Sequence, residues 1–119
     1  MFSQEQDWMK RQIKAIADTI AAIIFRKTEV AYEIQDEANH TDTDMLFLRL
    51  LKMLDEGRIN EAENMLFDAL DTNDTNYLLL AVDFYQRLND KSDDELERGG
   101  FSRDEVKDGF CEVASMYGV

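Results

Sequence analysis

Residues 45–70, MLFLRLLKMLDEGRINEAENMLFDAL, leave the chain few ways to fold. Between Met45 and Leu54 eight of ten residues are apolar. The two exceptions, Arg49 and Lys52, line up with Glu56 at i, i+3, i+7, so the polar stripe of this helix is narrow and most of its sides must be covered. Its start is expected at Asp42 or Thr43, whose side-chain oxygens can cap free backbone N–H groups. Gly57 can take the left-handed conformation that ends helices. From about Asn60 a further helix presents Ile59, Ala62, Met65, Leu66, Ala69 and Leu70 on one face and Glu61, Glu63, Asn64 and Asp68 on the other. Two helices folded back on each other follow, the first of them the expected centre of the core.

The rest of the chain reads the same way. There is no proline and there are five glycines, which suits helices on short connections and argues against a turn-rich sandwich. The fold class predicted is all-α, a compact bundle of five to six helices in one domain spanning residues 1–119. A long amphipathic helix is expected over residues 4–27, core helices over 42–90, and capping C-terminal helices over 92–117. Met9, Ile13, Ile16, Ile20 and Ile23 follow a 4-3-4-3 spacing on the first helix, with Trp8 near its start and Lys10, Arg11, Lys14 and Asp18 opposite. Residues 28–41 lose apolar content and read as a connector with a short helix. DTNDTN, residues 71–76, supplies turn formers and a cap for a fourth helix over 77–88.

Two capping boxes mark the tail, Ser92 with Glu95 and Ser102 with Glu105. The second opens a helix from about Arg103 to Met116, with Val106, Phe110, Val113 and Tyr117 as its buried stripe. Gly109 inside that helix costs up to ~1 kcal/mol relative to alanine and implies close packing there.

Charge narrows the function classes. The net charge is −13, which disfavours binding to a phosphate backbone, where affinity comes from lysines and arginines. Residues 1–27 nevertheless carry five basic and three acidic side chains, Glu5 among the latter, so the first helix is electrostatically complementary to the acidic body. That complementarity favours docking of the helix on its own domain or on a second copy, and the acidic body disfavours a membrane surface. The single cysteine, Cys111, allows no internal disulfide, and the polar opening MFSQEQD does not resemble an export signal. The apolar runs are too short to cross a bilayer. A cytoplasmic location is expected.

Gly57, Ile59, Ala62, Leu66 and Ala69 carry a resemblance: residues 43–76 look like one tetratricopeptide repeat, an antiparallel helix pair of about 34 residues. Leu50 and Asp74 depart from the family pattern, which has a small residue and a proline there. A second repeat would start near Tyr77, and Gly100 falls where its second helix needs a large apolar residue. The resemblance implies a concave groove lined by Phe47, Leu51, Ala81 and Tyr85. Those residues are too apolar for capture of a peptide carboxylate, so the groove is expected to be filled, with the first helix or a second copy as occupant. The whole chain, from QEQDWMKRQI to VKDGF, also resembles an uncharacterised family of small acidic bacterial helical proteins, from which no function follows.

No catalytic, metal or cofactor-binding residue is predicted. His40 stands alone in a polar connector. Cys111 beside Phe110 reads as a small buried hydrophobe. Counted as a calcium loop from Asp71, DTNDTN places Asn76 at the glycine position and Val82 at the glutamate position, and it fails. The expectation is a non-enzymatic interaction or structural module that self-associates as a homodimer through the first helix. The interaction residues expected are Trp8, Met9, Ile13, Ile16, Ile20 and Ile23, with Phe47, Leu51 and Tyr85 on the groove. The alternative is a peripheral membrane protein using the basic amphipathic helix.

Overall fold

The computed structural model describes the backbone of residues 2–119 and the side chains of residues 7–119. Glu5, counted above in the charge of the first helix, lies outside the described side chains. The fold is all-α, with no strand among the described residues. Its helices are α1 (Phe2–Ile20), α2 (Asp42–Asp55), α3 (Ile59–Ala69), α4 (Thr75–Asp90), α5 (Asp93–Arg98) and α6 (Arg103–Met116).

The centre of the bundle is α4, not α2 as expected from apolar content. α4 packs against α1, α2 and α6, and it buries Leu78, Leu88 and every residue from Leu80 to Tyr85. α2 lies at the edge, against α3 and α4, and leaves Met45 and Leu48 exposed. The count of apolar residues is similar in both helices; α4 differs in packing on three other helices where α2 packs on two.

α1 stays α-helical to Ile20 and then widens into one π-helical turn, Ala21–Phe25, short of the expected residue 27. Arg26 ends it in the left-handed region at φ 56°, and Lys27 N–H donates back to Ala21 O at 2.9 Å. A non-glycine residue in that region costs roughly 1 kcal/mol. Helix start signals were mostly correct within a residue or two. Thr41, rather than Asp42 or Thr43, caps α2: its Oγ1 accepts from Asp44 N–H at 3.1 Å while Asp44 Oδ2 accepts from Thr41 N–H at 2.9 Å. Thr43 is not free to cap because it is buried beside the Tyr32 hydroxyl. Asp74 caps α4 through Asn76 N–H, and Ser92 with Glu95 forms the full reciprocal box on α5. Ser102 caps α6, but Glu105 meets the Ser102 hydroxyl instead of its N–H, so that box is half made.

No helix forms between residues 28 and 41, where a short one was expected. Long-range polar contacts hold the segment instead. Tyr32 N–H donates to Asp83 Oδ2 at 2.9 Å, and Gln86 donates to Val30 O at 3.0 Å. The Tyr32 hydroxyl donates to Asp44 Oδ1 at 2.6 Å, and its ring packs on Phe47 with centroids 4.8 Å apart. The burial of Asp83 is thereby compensated, because Arg87 also donates to its second oxygen.

Candidate functional site

α1 has two apolar faces, and only one of them serves the core. Met9, Ile13, Ala17 and Ile20 are buried against α4 and α6. Burying an isoleucine such as Ile13 or Ile20 is worth about 1.5–3 kcal/mol, so these residues are committed to the fold of the single chain. Four of the nine expected contact residues thus lie along or beside one seam differently from the rest: Met9, Ile13 and Ile20 face inward, and Ile16 is half-buried at its border. Trp8 and Ile23 point away and stay 53% and 61% exposed.

Between Trp8 and Ile23 the same outward face carries Ala15 and Thr19, both exposed. At 7-4 spacing Trp8, Ala15 and Thr19 share one side of α1 with half-buried Gln12, and exposed Ile23 follows in the π-helical turn. The Thr19 hydroxyl donates to Ala15 O at 2.8 Å, which leaves its methyl group as the outward surface. Beside the stripe runs a shallow groove of about 330 Å³ between α1 and α6, walled by Ala15, Ile16, Thr19, Cys111 and Val119. Val119 reaches it because Gly118, at φ 75°, turns the chain back and Val119 N–H donates to Ala114 O at 2.9 Å.

Cys111 is exposed, a correction to its expected burial. The buried stripe of α6 runs through Val106, Phe110 and Val113, and Cys111 is one position round from it, toward the groove. The other edge of the α1 stripe is charged. Lys14 Nζ lies 3.1 Å from Asp18 Oδ2, both side chains largely in water, and Arg11 stands seven residues before Asp18 on that edge.

The groove expected on α2 and α4 is not one wall. Phe47 is covered by the Tyr32 ring and by the Arg87 guanidinium, 5.5 Å from the Phe47 centroid. Leu51 is half-buried near it. Tyr85 faces the opposite way, stacked on Phe110 of α6 with centroids 5.1 Å apart, and Ala81 is fully buried. The connector, not α1, supplies the cover over Phe47. Ala81 and Tyr85, four residues apart, share one side of α4; Tyr85 on that side meets Phe110 of α6, whereas Phe47 meets Tyr32 and Arg87.

Among the described residues Gln12 Oε1, Asn89 Oδ1 and Arg103 Nε are buried without a hydrogen-bond partner, and other polar candidates are paired within the chain. His40 Nε2 lies 3.5 Å from Glu37 Oε2 in the exposed connector. Among the described residues no group of three His, Cys, Asp or Glu side chains is placed to hold a metal ion, and no helix is long and apolar enough to cross a membrane. A wider cleft of about 570 Å³ between α1, α4 and the connector mixes Lys10, Arg11 and Arg87 with Glu29, Asp83 and Asp90, and the Asp83–Arg87 pair is already made.

The outward stripe was only half visible in the sequence. Trp8 and Ile23 stood out, but Ala15 and Thr19 carry too little apolar weight to define a face, and Cys111 and Val119 come from the far end of the chain. A family model described as a family of unknown function (DUF6483) matches residues 3–118. No curated protein and no solved structure matches the chain.

Proposed function

For a chain that belongs to this family of unknown function, we propose a reading taken from its own surface: a cytoplasmic, non-enzymatic interaction or structural module that self-associates through the outward face of α1. One observation carries it. Trp8 and Ile23, large apolar side chains 53% and 61% exposed, lie in line with Ala15 and Thr19 on a helix whose opposite face is already buried. Single exposed apolar residues are ordinary, whereas an aligned set beside an apolar groove is the pattern of a contact surface, and tryptophan is the residue most enriched where such contacts are strong.

In this reading α2 and α3 are a tetratricopeptide-like hairpin used as scaffold and not as a peptide receptor, since Phe47 is occupied by Tyr32 and Arg87 of the same chain. The basic edge of α1 favours a second reading, attachment to an anionic membrane surface with Trp8 at the headgroup level. The net charge of −13 opposes it.

Light scattering after size exclusion tests the proposal on the parent and on a Trp8→Glu, Ile23→Glu variant. Charges at Ile13 or Ile20 would enter the core and confuse unfolding with dissociation. The expected result is a parent dimer at micromolar concentration and a monomeric variant with an unchanged thermal midpoint. A parent that is monomeric at high micromolar concentration overturns self-association. Co-sedimentation of that monomer with anionic vesicles at low salt would transfer the function to the membrane reading.

A further inference from the structure

We propose that the second copy docks on α1 antiparallel, about a two-fold axis beside Ala15, so that Arg11 of each copy meets Asp18 of the other and the two α6 helices lie side by side. This geometry rests on the self-association reading and adds its orientation and register.

The two edges of the outward stripe decide the orientation. One edge is the apolar groove toward α6, with Cys111 and Val119; the other carries Arg11, Lys14 and Asp18. A dimer of identical chains most often has a two-fold axis, which uses the same patch on both copies. If the helices paired in parallel, the groove of each copy would face the charged edge of the other, and charges would lose water against apolar walls. Antiparallel pairing sets groove on groove and charged edge on charged edge.

The charged edge also fixes the register. Arg11 and Asp18 have opposite signs and lie two turns apart, about 10 Å along the axis, on one side of the helix. Reversing one helix about a point between them brings each arginine beside the partner copy's aspartate, twice by symmetry. Lys14 lies further round, on the rim of the cleft with α4, and keeps its pair with Asp18. The same axis passes next to Ala15, whose small side chain lets the helices approach, and it carries Trp8 over the Thr19 and Ile23 end of the other copy. Cys111 shares the groove with Ala15, so the two Cys111 thiols come to the same side of the axis.

Charge reversal tests this on the full chain. Arg11→Glu and Asp18→Arg each create two like-charged pairs, and each is expected to weaken the dimer about tenfold at low ionic strength, as surface pairs of this kind permit. The double variant restores the attraction with signs exchanged and should return to within about threefold of the parent, while high salt removes the differences. A short bismaleimide should join two copies of the parent through Cys111, and Cys111→Ser should abolish the product. Unchanged thermal midpoints keep folding out of the comparison.

A double variant as weak as the single variants, or a parent dimer that does not cross-link, overturns the antiparallel register. If that same dimer still falls apart with Trp8→Glu, Ile23→Glu, the self-association reading stands without this geometry. A monomeric parent overturns both.

Discussion

The Tyr85 hydroxyl on α4 donates to Glu63 Oε2 on α3 at 2.5 Å, directly against the backbone of α6 at Gly109. Three helices meet at that bond. Tyr85 is fully buried and cannot move aside, being stacked on Phe110 and set edge-on to Phe84. A Cβ at Gly109 would stand 2.5 Å from Tyr85 Oη and closer still to Glu63 Oε2. Glu63 can swing toward solvent, but the Tyr85 ring cannot. Gly109→Ala therefore sets a helix-propensity gain of up to ~1 kcal/mol against an overpacking cost of about 1–3 kcal/mol. Overpacking wins, and the urea midpoint is expected to fall by the equivalent of about 1 kcal/mol.

Glu63 should also leave a mark on the pH dependence of stability. Burial, above all, pushes its carboxyl above the ordinary value of 4.5; the nearby Glu105 and Glu112 add to the rise, and the Tyr85 hydrogen bond opposes it. Between the ordinary and the raised value the native state holds more protons than the unfolded chain, so stability drops as pH rises through that window. Glu63→Gln keeps an acceptor for Tyr85 and removes the charge. Its thermal midpoint is expected to exceed that of the parent by a few degrees at neutral pH. The advantage should close as the pH is brought below 4.5. Melting curves between acid and neutral pH check both the sign and the closure.

These relationships bear on what can be read in a sequence of this kind. The bounds of α6 were legible, Arg103 to Met116, because a serine cap and the stripe of Val106, Phe110 and Val113 are local signals. Close packing at Gly109 was legible too, although its partners were not. The end of α1 was hidden, since it closes on Arg26 without glycine or proline to mark it. The role of α4 as the centre was hidden because apolar content reports how much surface is buried and not which helix lies between the others. The connector gave the weakest signal, and what holds it is a set of single hydrogen bonds to residues as distant as Asp83. Trp8 and Ile23 are exposed, yet the spacing groups Ile23 with Ile13 and Ile20, which are buried, because a single stripe read at heptad spacing does not separate the two sides of α1.

Arg103 is a further contact without a local signal. Its side chain is buried, and its guanidinium donates to Asn89 O at 2.9 Å, Lys91 O at 2.9 Å and Asp93 Oδ1 at 2.7 Å. It thus closes the C-terminal end of α4, where carbonyls lack intrahelical partners and the helix dipole favours a cation. Arg103→Met preserves much of the apolar stem and strands those carbonyls, at an expected cost of about 2–3 kcal/mol in chemical denaturation. Arg103→Lys keeps the charge without the planar fork and should recover only part of the loss.

The connector offers the converse test, in which a carboxylate is stabilised by the fold. Asp44 is held below its ordinary value of 3.8 by the Tyr32 hydroxyl first and the Thr41 N–H next, with burial opposing them. A carboxylate depressed in this way adds stability at pH above its unfolded value, and the contribution is lost as pH falls through the lower native value. Tyr32→Phe removes the largest of these contributions and keeps the ring on Phe47. The variant is expected to melt several degrees below the parent at neutral pH. The gap should narrow in strong acid, where Asp44 is protonated in both proteins. Hydrogen exchange separates this bond from the other anchor of the segment: the Tyr32 amide, bonded to Asp83 Oδ2, should stay protected relative to an Asp83→Ala variant. Equal loss of protection in both variants would mean that the hydroxyl and the amide of Tyr32 hold the connector as one unit.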